Sequence, residues 1–328
     1  MIEILSLPFM QRALLAALLS GLIAPAIGTF IVQKKLSLLG DGLGHVAIMG
    51  VGLAMLTGWA PLPVAVLVCV AGAVIVELLR QHGKASGDLG LAILFYGGLA
   101  SGVLMAGMAG QGAGGLSSYL FGSLTSVSEA DIVVIVVLAV VVLACTIGLA
   151  PRLFAVSVDE HYSQVLGIRV RWLNLLVVVL AAITITLSMR TVGLLLVSAL
   201  MVIPVATAQQ SFIGFFPAFF GAMGIGVASA VGGTVSSFYL DTATGATIVL
   251  TAIALLGVSW VIGGRLRRES RFVPFIAAHE AAGHHPAEAT LPGTPAPGGA
   301  REIQHGDHID YVHEGHRHAW HGDHYDEH

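Results

Sequence analysis

Charge is scarce in this chain. Only 10% of its 328 residues are Asp, Glu, Lys or Arg, while 56% are hydrophobic. A soluble domain carries about 25% charged residues, so the composition points to a membrane protein before any segment is considered. Cysteine is nearly absent as well. Cys69 and Cys145 lie deep in separate apolar runs and read as small packing residues. No basic patch with interleaved aromatics occurs, which leaves no place for a nucleic-acid partner. The pattern G-x-x-x-x-G-K-[ST] is missing too, so the chain cannot hydrolyse ATP by itself. "GQGAGG" at 110–115 does satisfy G-x-G-x-x-G, but no strand precedes it and no helix bearing a suitably placed acid follows. It reads as a flexible outer loop.

What the chain has in abundance is apolar tracts long enough to cross about 30 Å of hydrocarbon. They run over residues 13–32, 62–79, 89–108, 132–150, 173–189, 192–208, 212–231 and 246–263. The stretch 42–56 is shorter and rich in glycine, but it must cross if its neighbours do. Pro204 leaves the 192–208 tract broken or re-entrant, so the expectation is an all-α bundle of eight or nine spans. "APA" at 24–26 mimics a signal-peptide cleavage site, yet the run stays apolar to Val32 and reads as a retained span. Basic residues settle the orientation. Lys34 and Lys35, Arg80 and Lys84, then Arg152, Arg169 and Arg171, and finally Arg265, Arg267 and Arg268 occupy alternate connections. Those connections are cytoplasmic, which places the N-terminus outside and the C-terminus inside and favours nine crossings.

"SVDEHYSQVLGIRV" at 157–170 is the longest cytoplasmic connection, a polar and potentially helical segment. Val158, Tyr162, Val165 and Leu166 fall on one face, with Gly167 as its stop. It reads as a solvated linker or as a short helix docking on a cytoplasmic partner. "VGLLLVSALMVIPVATAQQ" at 192–210 combines small residues with a mid-tract proline, as segments lining a pathway do. With "LSLLGDGLGHVAIMGVGLA" at 36–54 and "LDTATGATIVLTA" at 240–252, these motifs carry a resemblance. Over roughly residues 9–264 the chain resembles the membrane permease subunit of ATP-binding-cassette importers for zinc, manganese or iron, the zinc-uptake permease family. The resemblance implies a homodimer in the plasma membrane, two copies of a separate ATPase subunit, and an extracytoplasmic metal-binding protein. It also implies that Asp159, Glu160, Leu166 and Gly167 belong to the helix that couples the permease to its ATPase.

Asp41 and His45 stand at i and i+4 in this setting, on one face if residues from Gly40 onward are helical. Burying an aspartate in a bilayer costs about 2.5–3.5 kcal/mol, so such residues face a cavity and have a task. One reading is a structural Asp–His hydrogen bond near the cytoplasmic interface. The other is a metal-passing site. In a two-fold dimer two such pairs supply four nitrogen and oxygen ligands, which suits a first-row divalent cation. The resemblance agrees, since the family's intramembrane metal site is associated with this Asp and His. Glu77 is a weaker candidate, because pairing with Arg80 one turn on explains it equally well.

A change of material divides the permease, 1–268, from a tail, 269–328. The first half of the tail is alanine, proline and glycine with no period to bury, and disorder is expected. Its last 24 residues hold eight histidines: His305, His308, His313, His316, His318, His321, His324 and His328. Interleaved acids and recurring H-x-x-H and H-x-H spacings make it a metal-binding tail that buffers or senses, with several alternative ligand sets. Imidazole-rich ligation favours zinc over manganese as the transported substrate, with no permanently bound cofactor expected. The chain therefore reads as a transport subunit, not an enzyme; a metal–proton antiporter or channel working without ATP is the rival of another class.

Overall fold

The structure is a computed structural model. It describes residues 7–81, 87–110, 113–123, 128–190, 192–269, 301–305, 308–313, 316–320 and 325–327; beyond residue 261 only Gln304 has a described side chain. The chain divides into two compact units, Met1–Leu266 and Arg267–His328. The described part of the first is helical throughout: α1 (Pro8–Gln33), α2 (Leu39–Thr57), α3 (Pro61–Gln81), α4 (Gly87–Met108), a 3₁₀ turn (Ala113–Leu116), α5 (Ser117–Phe121) and α6 (Glu129–Gly148). Then come α7 (Ala150–Val158), α8 (Glu160–Val165), α9 (Val170–Ser188), α10 (Leu194–Ser211), α11 (Phe215–Leu240) and α12 (Thr244–Glu269). Seven of these are long and apolar enough to cross a membrane: α1, α2, α3, α6, α9, α11 and the first 18 residues of α12. Ala92–Met108 of α4 and Leu196–Ser211 of α10 are shorter apolar helices. Each of the expected tracts lies mostly within one of these nine helices, those at 132–150, 173–189, 192–208 and 212–231 overrunning an end by one to three residues.

Sequence and structure differ at two places in this unit. The 192–208 tract is not broken at its proline, since α10 runs continuously through Pro204. A proline is carried inside α1 as well, at Pro25, as membrane helices allow when neighbours accommodate it. There, α11 supplies a glycine: a Cβ on Gly226 would lie 2.3 Å from the Gly21 carbonyl oxygen and 2.4 Å from the Pro25 ring. Beyond Gly110, the expected outer loop holds the 3₁₀ turn and α5.

Apolar residues on both sides of α6 explain why sequence periodicity is faint in such helices. Ile135, Ala139, Val142 and Thr146 are buried, while Val133, Val137 and Val140 form an exposed apolar stripe fit to meet lipid. In contrast, α1 and α2 are enclosed. Helix α1 packs on α6, α9, α10 and α11, and α2 packs on α3, α4, α9 and α10, most extensively on α4. Glycine makes the α2–α4 contact possible. A Cβ on Gly52 would stand 2.5 Å from the Gly102 carbonyl oxygen, and one on Gly102 would stand 2.6 Å from the Ile48 side chain. Small residues at such crossings let backbones approach where no hydrophobic force drives helices together.

Of the tail, expected to be disordered over 269–328, residues 270–300 lie outside the described residues. Its far end forms an antiparallel meander, β1 (Arg301–His305), β2 (His308–His313), β3 (His316–Trp320) and β4 (Tyr325–Glu327), in spatial order β1-β2-β3-β4. The pairs His305↔His308 and His313↔His316 each leave two intervening residues, Gly-containing in both cases. Two-residue breaks with glycine between β-branched and aromatic positions are a hairpin signal, and the count of histidines masked it.

The crossing predicts opposite signs for one substitution at two helical glycines of α4. Gly102→Ala should destabilise by about 1–3 kcal/mol, as overpacking does. Gly107→Ala, where a Cβ meets nothing within 4 Å, should be neutral or stabilising by up to about 1 kcal/mol. Thermal unfolding of the purified variants in detergent checks the order.

Candidate metal-transport site and coupling surface

Helix α2 does begin at Leu39, so Asp41 and His45 share one face a turn apart. Asp41 sits in the first turn and is half-buried, where the helix dipole favours its charge. His45 is deeper, about 9 Å into the helix at 1.5 Å per residue, and only 6% exposed. Its ring meets Phe95 of α4 edge-on, with centroids 4.0 Å apart. A Cβ on Gly98 of α4 would lie 2.7 Å from the His45 carbonyl oxygen, so the α4 backbone presses on this turn. On the neighbouring face, Gly40 and Gly44 let α10 approach through Ser198 and Leu194.

The hydrogen bond between Asp41 and His45 that the structural reading of the pair requires is not formed. His45 Nδ1 is buried without a partner, a state that ordinarily costs about 1–3 kcal/mol and calls for an explanation. The pair thus leaves a buried imidazole nitrogen without a protein partner one turn from a carboxylate. Among the described side chains, no three His, Cys, Asp or Glu residues come together to hold an ion. One chain therefore supplies two donors here, not a closed set.

Glu77 is otherwise engaged. It is 2% exposed on α3, and Arg80 grips both its oxygens, Nε to Oε2 at 2.9 Å and Nη2 to Oε1 at 3.0 Å. Gln81 Nε2 donates to Oε1 at 2.9 Å and to the Arg171 carbonyl at 3.2 Å, which links the end of α3 to α9. Of the tail histidines, 305, 308, 313, 316 and 318 stand in strands, while His321, His324 and His328 lie outside the described residues.

The 157–170 segment folds as expected at its centre. Asp159 caps α8, its carboxylate accepting from the Tyr162 amide at 2.9 Å. Gly167, at φ +75°, ends the helix: its amide donates to the Gln164 carbonyl and that of Ile168 to the Ser163 carbonyl, both at 3.0 Å. Val158, Tyr162, Val165 and Leu166 are all exposed, Val165 to 84%. Four large exposed side chains on so short a segment form an apolar knob.

A clasp that sequence reasoning missed lies under this knob. Lys34 Nζ, with its side chain only 6% exposed, is 2.7 Å from Glu160 Oε1 and 2.7 Å from Asn174 Oδ1. It also donates to the Val156 carbonyl at 3.4 Å, and Asn174 Nδ2 donates to Glu160 Oε1 at 3.0 Å. The end of α1, the α7–α8 junction and α9 thus meet at one buried ammonium. Burial pushes the Glu160 carboxyl up, but the Lys34 ammonium and the Asn174 amide outweigh it and hold the group below its ordinary value. Lysine 34 counted in the sequence only as a cytoplasmic charge, and nothing in a linear reading pairs it with positions 160 and 174. At the α9–α10 connection, Arg190 pairs with Asp131 and donates to the Tyr119 hydroxyl at 3.1 Å.

Comparison with known proteins places the chain in a family. The model of the ABC 3 transport family matches residues 6–262. The high-affinity zinc uptake system membrane protein ZnuB of Haemophilus influenzae is 30% identical over 253 residues, covering 75% of this chain and 95% of that protein. The manganese transport system membrane protein MntC of Halalkalibacterium halodurans is 32% identical over 259 residues, covering 79% and 88%. Among solved structures, PsaBC from Streptococcus pneumoniae in complex with Fab superimposes with a TM-score of 0.72 at 26% identity, covering 79% of this chain and 94% of that one.

The clasp predicts an asymmetry. Glu160→Gln leaves a buried ammonium uncompensated, whereas Lys34→Met leaves a carboxylate whose side chain is 42% exposed and rehydrates. Glu160→Gln should therefore lower the melting temperature more. Because the folded-state value of Glu160 is depressed, the clasp contributes fully above the ordinary value near 4.5 and is lost as pH falls through the lowered one. Melting curves against pH should show wild type and Glu160→Gln converging at the acid end.

Proposed function

Because the chain belongs to the ABC 3 transport family, we propose that it is the membrane-spanning subunit of an ATP-binding-cassette importer that brings a divalent metal ion, zinc, into the cytoplasm. The observation that carries this reading is His45 Nδ1, buried and unpartnered one turn from Asp41 on an enclosed helix of the bundle. Two copies about a two-fold axis bring two imidazoles and two carboxylates to one cation. That set supplies charge to offset the ion's desolvation, yet has no thiolate to trap it. Glu77 is left out of the pathway, since Arg80 and Gln81 already occupy it.

All nine apolar helices cross the membrane in this reading, with the N-terminus outside and the C-terminus inside. Lys34, Arg80, Arg152, Arg169 and Arg171 then share the cytoplasmic side with the α8 knob, which docks on a separate ATPase subunit. Arg190 falls in an outer connection, against the positive-inside trend, and its pairing with Asp131 is what makes it tolerable there. Binding-protein delivery from outside completes the system. An ATP-independent channel or antiporter has no use for an exposed apolar knob at a cytoplasmic turn. Manganese is the second reading, favoured by the likeness to MntC; the imidazole of His45 and the histidine-rich tail favour zinc.

Two experiments test the assignment. Asp41→Asn and His45→Ala should each cut zinc uptake by more than the ~10–100-fold typical of outer-shell changes at metal sites, with insertion and ATPase assembly intact. Uptake of Asp41→Asn near the wild-type level would falsify the ligand role. Separately, Val165→Asp or Leu166→Asp should leave the fold intact, because both side chains are exposed, yet abolish uptake and weaken ATPase binding. Normal uptake by both variants at full expression rejects the docking surface. Competition of zinc uptake by manganese decides between the two metals.

A further inference from the structure

Helices α1, α7, α10 and α11 leave a cavity of about 220 Å³ between them. Its apolar wall is aromatic: Phe154 of α7, Phe212 of the α10–α11 connection and Phe215 of α11. The rings of Phe154 and Phe215 lie 4.2 Å apart between centroids. The polar wall is uncharged. Thr29 and Gln33 of α1 and Gln209 of α10 supply it, and among the described residues no charged side chain lines the space. Gln33 Oε1 is buried without a hydrogen-bond partner. The Thr29 hydroxyl already donates to the Pro25 carbonyl at 2.9 Å, so it has only acceptor capacity left. A buried acceptor left without a donor is costly. This wall therefore calls for a ligand that brings N–H or O–H groups.

Position decides what kind of molecule brings them. The cavity lies at helix ends, beside Gln33, the last residue of α1, and Gly214, the N-cap of α11. Both helices are long and apolar enough to span a membrane, so these ends meet a bilayer at headgroup level. From there an apolar surface runs along the connection and α11, where Phe212, Ile213, Phe216 and Phe220 are 42–84% exposed. Phe212 belongs both to that surface and to the cavity wall. Pockets that enclose a whole small molecule measure about 300–1,000 Å³. This smaller one suits one end of a larger molecule whose remainder lies outside, on the exposed rings. We propose that the cavity binds the headgroup of phosphatidylethanolamine, whose ammonium donates to Gln33 Oε1 while its acyl chains cover the α11 phenylalanines. An ammonium carries three donors, which matches the oxygens of Gln33, Thr29 and Gln209. The lipid sits beside the Lys34 clasp, since Lys34 follows Gln33 and bonds the Val156 carbonyl two residues beyond Phe154. It thereby braces α7 against α1.

Lipid binding tests the site whether or not the transport reading stands. Full-length protein, delipidated in detergent, is titrated with dioleoyl phosphatidylethanolamine, phosphatidylcholine or phosphatidylglycerol, and bound lipid is counted by native mass spectrometry. The first two share their net charge, but only the ethanolamine headgroup has N–H donors. One tight equivalent of phosphatidylethanolamine per chain is expected, held about 10-fold or more tighter than phosphatidylcholine, as a hydrogen bond from a charged donor supplies. Gln33→Leu removes the acceptor and should erase that preference while keeping the phosphatidylcholine affinity, which a general loss of structure would not spare. Ala218→Phe puts a ring into the cavity and should remove the tight equivalent. Val137→Phe, on the exposed stripe of α6, should change neither. Equal binding of the three lipids, a preference for phosphatidylglycerol, or a Gln33→Leu variant that keeps the ethanolamine preference or loses both lipids alike overturns the assignment.

Discussion

A polar helix survives inside a bilayer only if other helices cover it, and the burial of α2 is the constraint on which the rest of this bundle depends. Asp41 and His45 would be costly on a lipid-facing helix. Here α3, α4, α9 and α10 surround α2, and the approach of α4 and α10 is close because glycines on α2 and α4 remove the side chains that would hold them apart. The glycines that made 42–56 look like a poor helix in isolation are what make it a good buried one. Their intrinsic cost of about 1 kcal/mol each is outweighed by packing that larger residues would forbid. The enclosure then sets the chemistry. His45 Nδ1 is buried, and the neighbouring α4 presents Phe95 to the ring.

Much of the helical architecture was legible in the sequence because apolar length is a strong signal in membrane proteins. The tracts, the i, i+4 placement of Asp41 and His45, and the Gly167 stop all follow from local rules. Pro204 misled, because proline breaks helices in water but is carried within buried membrane helices. Helix α7 was invisible for another reason. Ala150 begins it two residues after α6 ends, so the two read as one tract followed by a loop. The Lys34–Glu160–Asn174 clasp joins positions more than a hundred residues apart, and no periodicity encodes such a contact. In the tail, an excess of one residue type drew attention from the alternation and glycine breaks that place those residues in strands.

The clasp gives the apolar knob a mechanical connection. Under the proposed function α8 docks on the ATPase, and a docking helix that merely rested on the bundle would slide under load. Glu160 is the first residue of α8, and its partner Lys34 caps the end of α1. A push on Tyr162, Val165 and Leu166 therefore arrives at a charged pair whose lysine cannot reach water without losing three acceptors. Such a pair contributes little as a stability device, since desolvation cancels most of its attraction. Its value is directional: it fixes α8 to α1 and, through Asn174, to α9.

Residues 34–38 extend that connection toward Asp41 and His45. Lys34 is separated from Leu39, the first residue of α2, by four residues, and Leu39 is two residues before Asp41. Within this link the Leu36 amide donates to the Ile31 carbonyl and the Leu39 amide to the Leu36 carbonyl, at 3.0 and 2.9 Å, so it is a tight turn and not slack chain. Displacing Lys34 must therefore displace the first turn of α2, which carries Asp41, while His45 is held one turn deeper by Phe95 and the Gly98 backbone. Asp41 and His45 thus rest on different supports, one tied to α8 and one to the core. Under the proposed function, an arrangement of that kind changes the separation of its ligands without unfolding anything, as a site must that binds an ion and then lets it go.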